Sequence, residues 1–501
     1  MSDPVRDPSA ADRDAPVDQA SGAADDPPLG LALDRLAAAE PDRPALLHRE
    51  EVVTRAELAA ASNRAARELA ELGAREGSLV TIGLPNGPAF YAAVVGAWKV
   101  GAIPQPVSAK LPAAELAALI EIADPAVVVG LSAPDGRPSL PADWRPDPAR
   151  DAGPLPPAVP PRWKAPTSGG STGRPKIILA GNAGRLETVT KSAERMRIRG
   201  GDEVFAVTAP LHHNAPFMFS LISLLRGGTL VVLDRFDGET VLRAVDRHRV
   251  TWLYAVPTLM GRLLRVRDSV PADVSSVETL LHVGAPCPEH VKRGCLEWFG
   301  ARTVLELYAG TESQAACMID GVDWLAHPGS VGPVVSGEMR IGDSDGVPLP
   351  VGELGEVWMK VPEEPYRYLG ATARGRDGWE SLGDLGRMDA DGYLHLADRR
   401  SDLILVGGSN VYPAEVEGAL DAHPAVLSSC VIGLPDDDLG SRVHAIVQLA
   451  EPVTDEDLRA HVATLLAGPK VPATIERVDH PLREDTGKVR RSALRAARLP
   501  G

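Results

Sequence analysis

Ten consecutive residues, Thr-Ser-Gly-Gly-Ser-Thr-Gly-Arg-Pro-Lys from Thr167 to Lys176, hold three glycines, four hydroxyl side chains and two cations. Such a stretch adds nothing to a hydrophobic core. Its main-chain amides, hydroxyls and lysine suit it to hold an anion. It is not a Walker A loop. That pattern needs Gly-Lys-Ser/Thr opening a helix, whereas here Pro175 precedes the lysine and the β-branched, apolar Lys-Ile-Ile-Leu-Ala predicts a strand. The Rossmann glycine pattern is absent as well. The remaining readings are a flexible phosphate loop between two strands and an ordinary polar turn.

Other groups could serve a phosphorylated ligand. In Tyr-Ala-Gly-Thr-Glu-Ser, residues 308–313, Thr311 offers a hydroxyl to phosphate and Glu312 a carboxylate to magnesium, a cation that takes few protein oxygens beside substrate phosphates. A plain surface turn is the alternative. Asp384, between glycines, suits a ribose diol, with Arg399 fifteen residues on. Asp389 to Gly392 reads as a hairpin turn. Arg483 to Arg491 is a basic, Gly-containing loop carrying Lys488, and solvated lysines are common in such places. His212 and His213 sit in an apolar stretch without further spaced ligands, which argues for pocket or core histidines over a metal site.

These groups need a frame. From Thr54 to Gly73 the chain carries a helix signature: Thr54 and Glu57 as a capping box, Leu58, Ala61, Ala65, Leu69 and Leu72 on one face, and a closing glycine. Strand-like runs then alternate with helical ones through Thr279–Gly284, so an α/β fold is expected, a large N-terminal domain of sheets covered by helices. Beyond about residue 398 the texture changes. Pro413 opens a helix, two β-type runs follow, and a helix capped by Thr454 turns Leu458, Val462, Leu465 and Leu466 inward. The expected divisions are a disordered acidic, Pro-rich tail at 1–28, a large domain at 29–400, and a small α+β domain at 401–501.

A formal charge of −16 argues against nucleic acid or an anionic membrane as a general partner, so any phosphate must be met by local cations, amides or a metal. The four cysteines are widely spaced and form no C-x-x-C pair, which fits a reducing compartment. There is no charged-then-apolar leader and no apolar run approaching about 18 residues. A cytoplasmic protein without membrane insertion is expected.

Taken together, and in this order from about residue 30 to 495, the segments resemble the adenylate-forming superfamily of acyl-CoA synthetases, peptide-synthetase adenylation domains and luciferases. The Thr167–Lys176 stretch matches the family's phosphate loop, and residues 308–313 its Tyr-Gly-x-Thr-Glu segment. Gly-Glu-Leu-Gly-Glu-Val-Trp-Met-Lys and the run from Ser381 to Glu417 match the hinge-spanning signature, and Arg483–Arg491 the segment with the catalytic lysine. The resemblance implies ATP, Mg²⁺ and coenzyme A as cofactors and two half-reactions, in which a carboxylic acid becomes an acyl-adenylate and then a thioester.

It also implies roles for single residues. Lys488 bridges carboxylate and α-phosphate. Thr167, Ser168, Gly169, Gly170, Ser171, Thr172 and Gly173 cradle the distal phosphates with Lys176. Glu312 holds the metal, Thr311 an α-phosphate oxygen, and Asp384 the ribose with Arg399. Gly284, Ala285 and Pro286 pack adenine beside Tyr308. His213 gates the acyl pocket from the thiol tunnel, and Phe217, Tyr254, Met260, Ala309 and Gly310 shape a pocket for an apolar, ring-containing acid. Ser401 is the hinge and Gly407-Gly408 the loop shown to the thiol. Four features depart from the family: Ser401 stands where Asp or Lys is common, Leu482 replaces a proline, Glu484-Asp485 puts two acids beside Lys488, and Tyr-Ala-Gly shifts the small residue. The acceptor therefore stays open between coenzyme A, a carrier-protein thiol, an amine, and nitrite chemistry in which a related oxyanion replaces the acid. A regulator without turnover is a further alternative, against which the retained Lys488 and Glu312 argue; the sequence does not name the oligomeric state, with a homodimer among the options.

Overall fold

The computed structural model describes residues 26–169, 175–360, 365–483 and 489–499. Gly170, Ser171, Thr172, Gly173 and Lys488 therefore lie outside the described residues, as does most of the expected tail. Asp26, ahead of the expected Leu29, is held in place: its carboxylate accepts the Glu187 amide at 2.7 Å and its carbonyl the Arg185 guanidinium at 2.8 Å.

Two sheets with parallel strands frame the large lobe. In the first, Ile103–Pro106, Leu79–Ile82, Val127–Val129 and Ser139–Leu140 lie side by side, all parallel. The second has nine strands. Six of them run parallel in the spatial order Val304–Ala309, Thr279–His282, Trp252–Ala255, Val204–Val207, Thr229–Val232 and Pro44–His48. Thr279–His282 and Trp252–Ala255 are buried at every position. Strands covered by helices on both faces read as unbroken apolar runs, which is why the sequence marks them so clearly.

The capped helix forms as its residues dictate. It spans Arg55–Glu71, with the Glu57 amide donating to Thr54 Oγ1 at 3.2 Å and the Thr54 amide to Glu57 Oε2 at 2.8 Å. Leu58, Ala65 and Leu69 are fully buried. The helix packs closely against Pro88–Lys99 because Gly96 has no side chain there. A Cβ at Gly96 would stand 2.8 Å from that of Ala65.

A three-stranded antiparallel sheet, Thr167–Gly169, Pro175–Ala180 and Tyr366–Leu369, carries the phosphate-loop segment. A further sheet brings Trp379–Met388 against Leu394–Arg399 through the expected turn at Asp389, with Gly392 at φ +82°. The small lobe contains the hairpin Ile404–Val406/Ser409–Val411 and the sheet Val426–Asp436, Gly440–Leu449, Thr474–Val478. Its own core includes Val416, Leu420, Val431, Ala445, Leu458 and Val462. One expectation fails there. Leu465 is 55% exposed, since the helix Asp455–Leu465 stops at that residue and the chain turns extended at Leu466, which packs inward instead.

Candidate active site

The site is assembled at the carboxyl ends of the parallel strands, where α/β sheets leave a crevice. The phosphate-loop hairpin pairs Thr167 with Ile177, Ser168 with Lys176 and Gly169 with Pro175. Lys176 thus begins a strand and not a helix, as the β-branched run requires. Its ammonium donates to Glu312 Oε1 and to the Tyr368 hydroxyl, each at 2.9 Å, and lies 4.3 Å from the Tyr368 ring centroid. Tyr368 in turn donates to Glu312 Oε1 at 2.5 Å. Burial and the Glu312 carboxylate push the Tyr368 phenol well above its ordinary range, so it stays a donor at every working pH.

Glu312 is 5% exposed and sits in the turn after Val304–Ala309. That turn closes with the Ser313 amide donating to Gly310 O at 3.0 Å, with Ser313 in the left-handed region at φ +58°. Gly310 lets neighbouring side chains pack close to the turn. A Cβ there would lie 2.4 Å from Leu382 Cδ1 and 3.1 Å from Glu312 Oε2. The small residue after Ala309 thus leaves room for Leu382 against the turn. Thr311 is half-buried in the same turn, and Ala309 is exposed at the strand end. One buried carboxylate beside a lysine fits a magnesium ion that receives its other oxygens from phosphates and water. When bound, such an ion would neutralise phosphate charge.

A second cluster adjoins. Strand register sets Asp384 opposite Arg399. Arg399 Nε donates to Asp384 Oδ1 at 3.2 Å, and the Tyr308 hydroxyl donates to Oδ2 at 2.8 Å. Burial, then the Asp384 charge, raises the Tyr308 phenol well above its ordinary value. The carboxylate is thereby held with an oxygen on each side, a geometry suited to two adjacent hydroxyls. Gly284, Ala285 and Pro286 form the loop leaving Thr279–His282, with Gly284 at φ +90°.

Under that loop lies a group that sequence reasoning missed. Lys292, fully buried, donates to His282 Nε2 at 2.7 Å and to Glu306 Oε2 at 2.8 Å. Burial keeps His282 neutral by lowering its pKa, so it accepts the lysine proton's hydrogen bond. A lone acid inside the apolar Thr-Val-Leu-Glu-Leu was the available signal, since a buried charge needs a partner. Tyr368 had a weaker signal, the alternating Tyr-Arg-Tyr of its strand.

His213 is the N-cap residue of the helix Asn214–Leu225, half-buried, its ring 4.0 Å from that of His212. The expected pocket walls fare differently. Phe217 is fully buried between the rings of Phe90 and Trp163, each with centroids 6.2 Å away. Tyr254 is 2% exposed, and Met260 is 0% exposed within a separate core cluster. All three are closely packed among neighbouring side chains in this arrangement.

Ser401 lies in the short 3-10 segment Arg400–Asp402, its hydroxyl donating to Asp402 Oδ1 at 3.1 Å. On one side Arg400 meets Glu356 at 3.2 Å; on the other Arg491 meets Asp402 at 3.0 Å. Gly407 and Gly408, at φ +53° and +83°, form a two-residue hairpin turn that needs left-handed backbone at both positions. The residues flanking the Lys488 segment face the large lobe. Leu482 and Arg483 line a cleft with Thr258, Arg262 and Arg265, and Arg490 Nη1 is 3.4 Å from Glu115 Oε1.

Comparison with known proteins gives this arrangement its context. The AMP-binding enzyme family model matches residues 33–364, and the AMP-binding enzyme C-terminal domain matches 415–488. A feruloyl-CoA synthase from Amycolatopsis sp. is 33% identical over 485 residues, covering 92% of this chain and 97% of that protein. A 2-succinylbenzoate–CoA ligase of Bacillus licheniformis is 34% identical over 332 residues, 65% of this chain and 68% of its own length. Among solved structures, the o-succinylbenzoate CoA synthetase of Bacillus subtilis in complex with ATP and magnesium ion superposes with a TM-score of 0.81 at 28% identity, covering 94% of this chain and 99% of that one. No described helix is long and apolar enough to cross a membrane. The chain belongs to the AMP-binding enzymes, as an AMP-forming ligase of the acyl-CoA synthetase type.

Proposed function

We propose that the chain activates a ring-containing carboxylic acid with ATP and passes the acyl group to coenzyme A. In the first step a carboxylate oxygen attacks the α-phosphorus and the bond to pyrophosphate breaks. In the second, a thiolate sulfur attacks the acyl carbon and AMP departs. The observation that carries this reading is that the Lys176–Glu312–Tyr368 group and the Tyr308–Asp384–Arg399 group are both anchored at the end of one strand, Val304–Ala309, through Glu312 in the turn after it and Tyr308 within it. Two anions approach each other in the first step, so the barrier is mainly electrostatic, and preorganised cations and donors lower it. Lys176 and the amides of Thr167 to Gly173 would hold the distal phosphates, Glu312 the magnesium, Thr311 an α-phosphate oxygen and Asp384 the ribose. Gly284 to Pro286 and Tyr308 would border adenine.

Lys488 would supply the charge between carboxylate and α-phosphate. The contact of Arg490 with Glu115 supports this, because it ties the residues just beyond Lys488 to the large lobe. Rotation about Ser401 would then withdraw Lys488 and present Gly407-Gly408 to the thiol. The ring-containing acid is argued from the relatives named for ferulate and succinylbenzoate. An amine acceptor is the second reading, since an amide bond synthetase from Marinactinospora thermotolerans has a TM-score of 0.77 at 26% identity. Pyrophosphate release across an acid panel, with coenzyme A, an amine or nitrite added in turn, separates these readings. Acyl-CoA formation with an aryl acid is the expected result; no release under any condition would refute the ligase reading for this chain.

A further inference from the structure

Among the buried cations outside the groups assigned so far, Arg55 and Lys99 pair with Glu40 and Asp34, and Lys164 stands apart. Lys164 is 4% exposed, three residues before the phosphate-loop hairpin, and no carboxylate among the described residues pairs with it. Its ammonium donates to Asn214 Oδ1, lies 3.7 Å from Met218 Sδ and stands 4.7 Å from the Trp163 ring centroid. An ammonium has three donors. One carbonyl-type oxygen and one thioether sulfur, a weak acceptor, leave its hydrogen-bonding capacity incompletely used. Burial without an acidic partner lowers its pKa to about 7, the mark of a charge kept at a cost.

Packing alone would be served better by an apolar side chain. The setting is rigid: Trp163 O accepts from Trp98 Nε1 at 2.8 Å, and Lys164 O accepts the Ala180 amide at 3.0 Å. On its far side the ammonium meets the first turns of the helix that His213 caps, where Asn214 and Met218 are only half-buried. It touches none of Lys176, Glu312 or Tyr368, which are grouped at the phosphate end.

We propose that Lys164 determines acid specificity, its ammonium pairing with a second anionic substituent, a carboxylate or sulfonate, remote from the carboxyl group that is adenylated. The substrate class is then an acid with an apolar body and two anionic ends. This inference rests on the reading that the start of the His213-capped helix borders the acyl pocket. The pairing restores the counter-charge that the protein itself does not provide, and it makes a neutral acid the poorer substrate because the ammonium stays buried and unpaired.

The test uses the full-length protein and matched aryl acids bearing, at the far end of the ring, a carboxylate, a sulfonate, a methyl ester or a methyl group. Pyrophosphate release gives kcat/KM for each. Wild type should favour the carboxylate or sulfonate acid over its methyl isostere. Lys164→Met should lower kcat/KM for the anionic acids by ~30-fold or more while leaving the methyl acid within a few-fold, and Lys164→Arg should keep part of the preference. A wild-type preference for the neutral isosteres overturns the proposal without needing any variant to fold. An equal loss for all acids in Lys164→Met overturns it as well, since that is the behaviour of a packing residue or of one holding the reacting carboxylate. In both cases turnover by wild type leaves the ligase reading standing. Absence of pyrophosphate release by wild type with every acid refutes that reading and the Lys164 proposal together.

Discussion

Replacing Tyr368 by Phe removes one oxygen and little else. The ring would keep its edge contact with Tyr366, centroids 4.7 Å apart, and its place beneath the Lys176 ammonium at 4.3 Å. What disappears is the hydrogen bond accepted from Lys176 and the one donated to Glu312, a carboxylate only 5% exposed that water cannot readily reach. A hydrogen bond to a charged group contributes about 1.5–3 kcal/mol. With tenfold in rate for roughly each 1.4 kcal/mol, the variant should lose roughly 10- to 100-fold in kcat/KM for Mg-ATP in pyrophosphate release. The concentration of magnesium needed for half-maximal rate should rise. The thioester half-reaction, started from supplied acyl-adenylate, should change little, because Tyr368 acts by orienting Glu312 and Lys176. Adenylation within twofold of wild type would refute this reasoning. So would an equal loss in both half-reactions at unchanged magnesium dependence, which would mark Tyr368 as a stability residue only.

Further outcomes follow from other parts of the molecule. Lys488→Ala should cut acyl-adenylate formation by at least about a hundredfold with ATP binding retained, the usual effect of deleting one preorganised charge; single-turnover adenylation at wild-type rate would remove Lys488 from the mechanism. Asp384→Asn keeps the shape but loses the charge shared by Tyr308 and Arg399, so the KM for ATP should rise by roughly tenfold, and an unchanged KM would place the ribose elsewhere. In the small lobe, burial pushes the Asp421 carboxyl up to about 6, although Ser429 donates to it at 2.6 Å. A carboxyl whose folded pKa exceeds its unfolded value of about 3.9 favours the folded state below that value, and the benefit is lost as pH rises through about 6. Asp421→Asn should therefore gain about 1–2 kcal/mol at pH 8, read from urea unfolding, with the gain fading toward pH 4; a constant difference across that range would count against the titration argument.

The fold class could be read from periodicity, because strands covered on both faces must be apolar throughout and the capped helix announces its own start. Thr54 and Glu57 formed the expected reciprocal cap, and the Lys176 segment became a strand for the reason its β-branched residues gave. Local sequence failed where an element ended early, as at Leu465, and where pocket and core could not be told apart, as at Phe217 and Met260. An apolar residue looks the same in a chain whether it faces a ligand or a neighbouring helix.

The sequence by itself determined which chemical groups are present and their order: a hydroxyl- and glycine-rich loop, a Thr-Glu pair at a strand end, an aspartate between glycines and a basic segment late in the chain. Only the tertiary structure decided which of them touch. Lys176 meets Glu312 across 136 residues and Tyr368 across 192, because the strand Tyr366–Leu369 pairs with Pro175–Ala180 and the turn after Val304–Ala309 closes over both. Lys164 meets Asn214 across 50 residues, and Lys292 lies between His282 and Glu306 beneath the Gly284 loop. Strand register and the close approach that Gly310 permits set these distances, and register follows from the pairing of whole sheets that no short stretch of chain specifies.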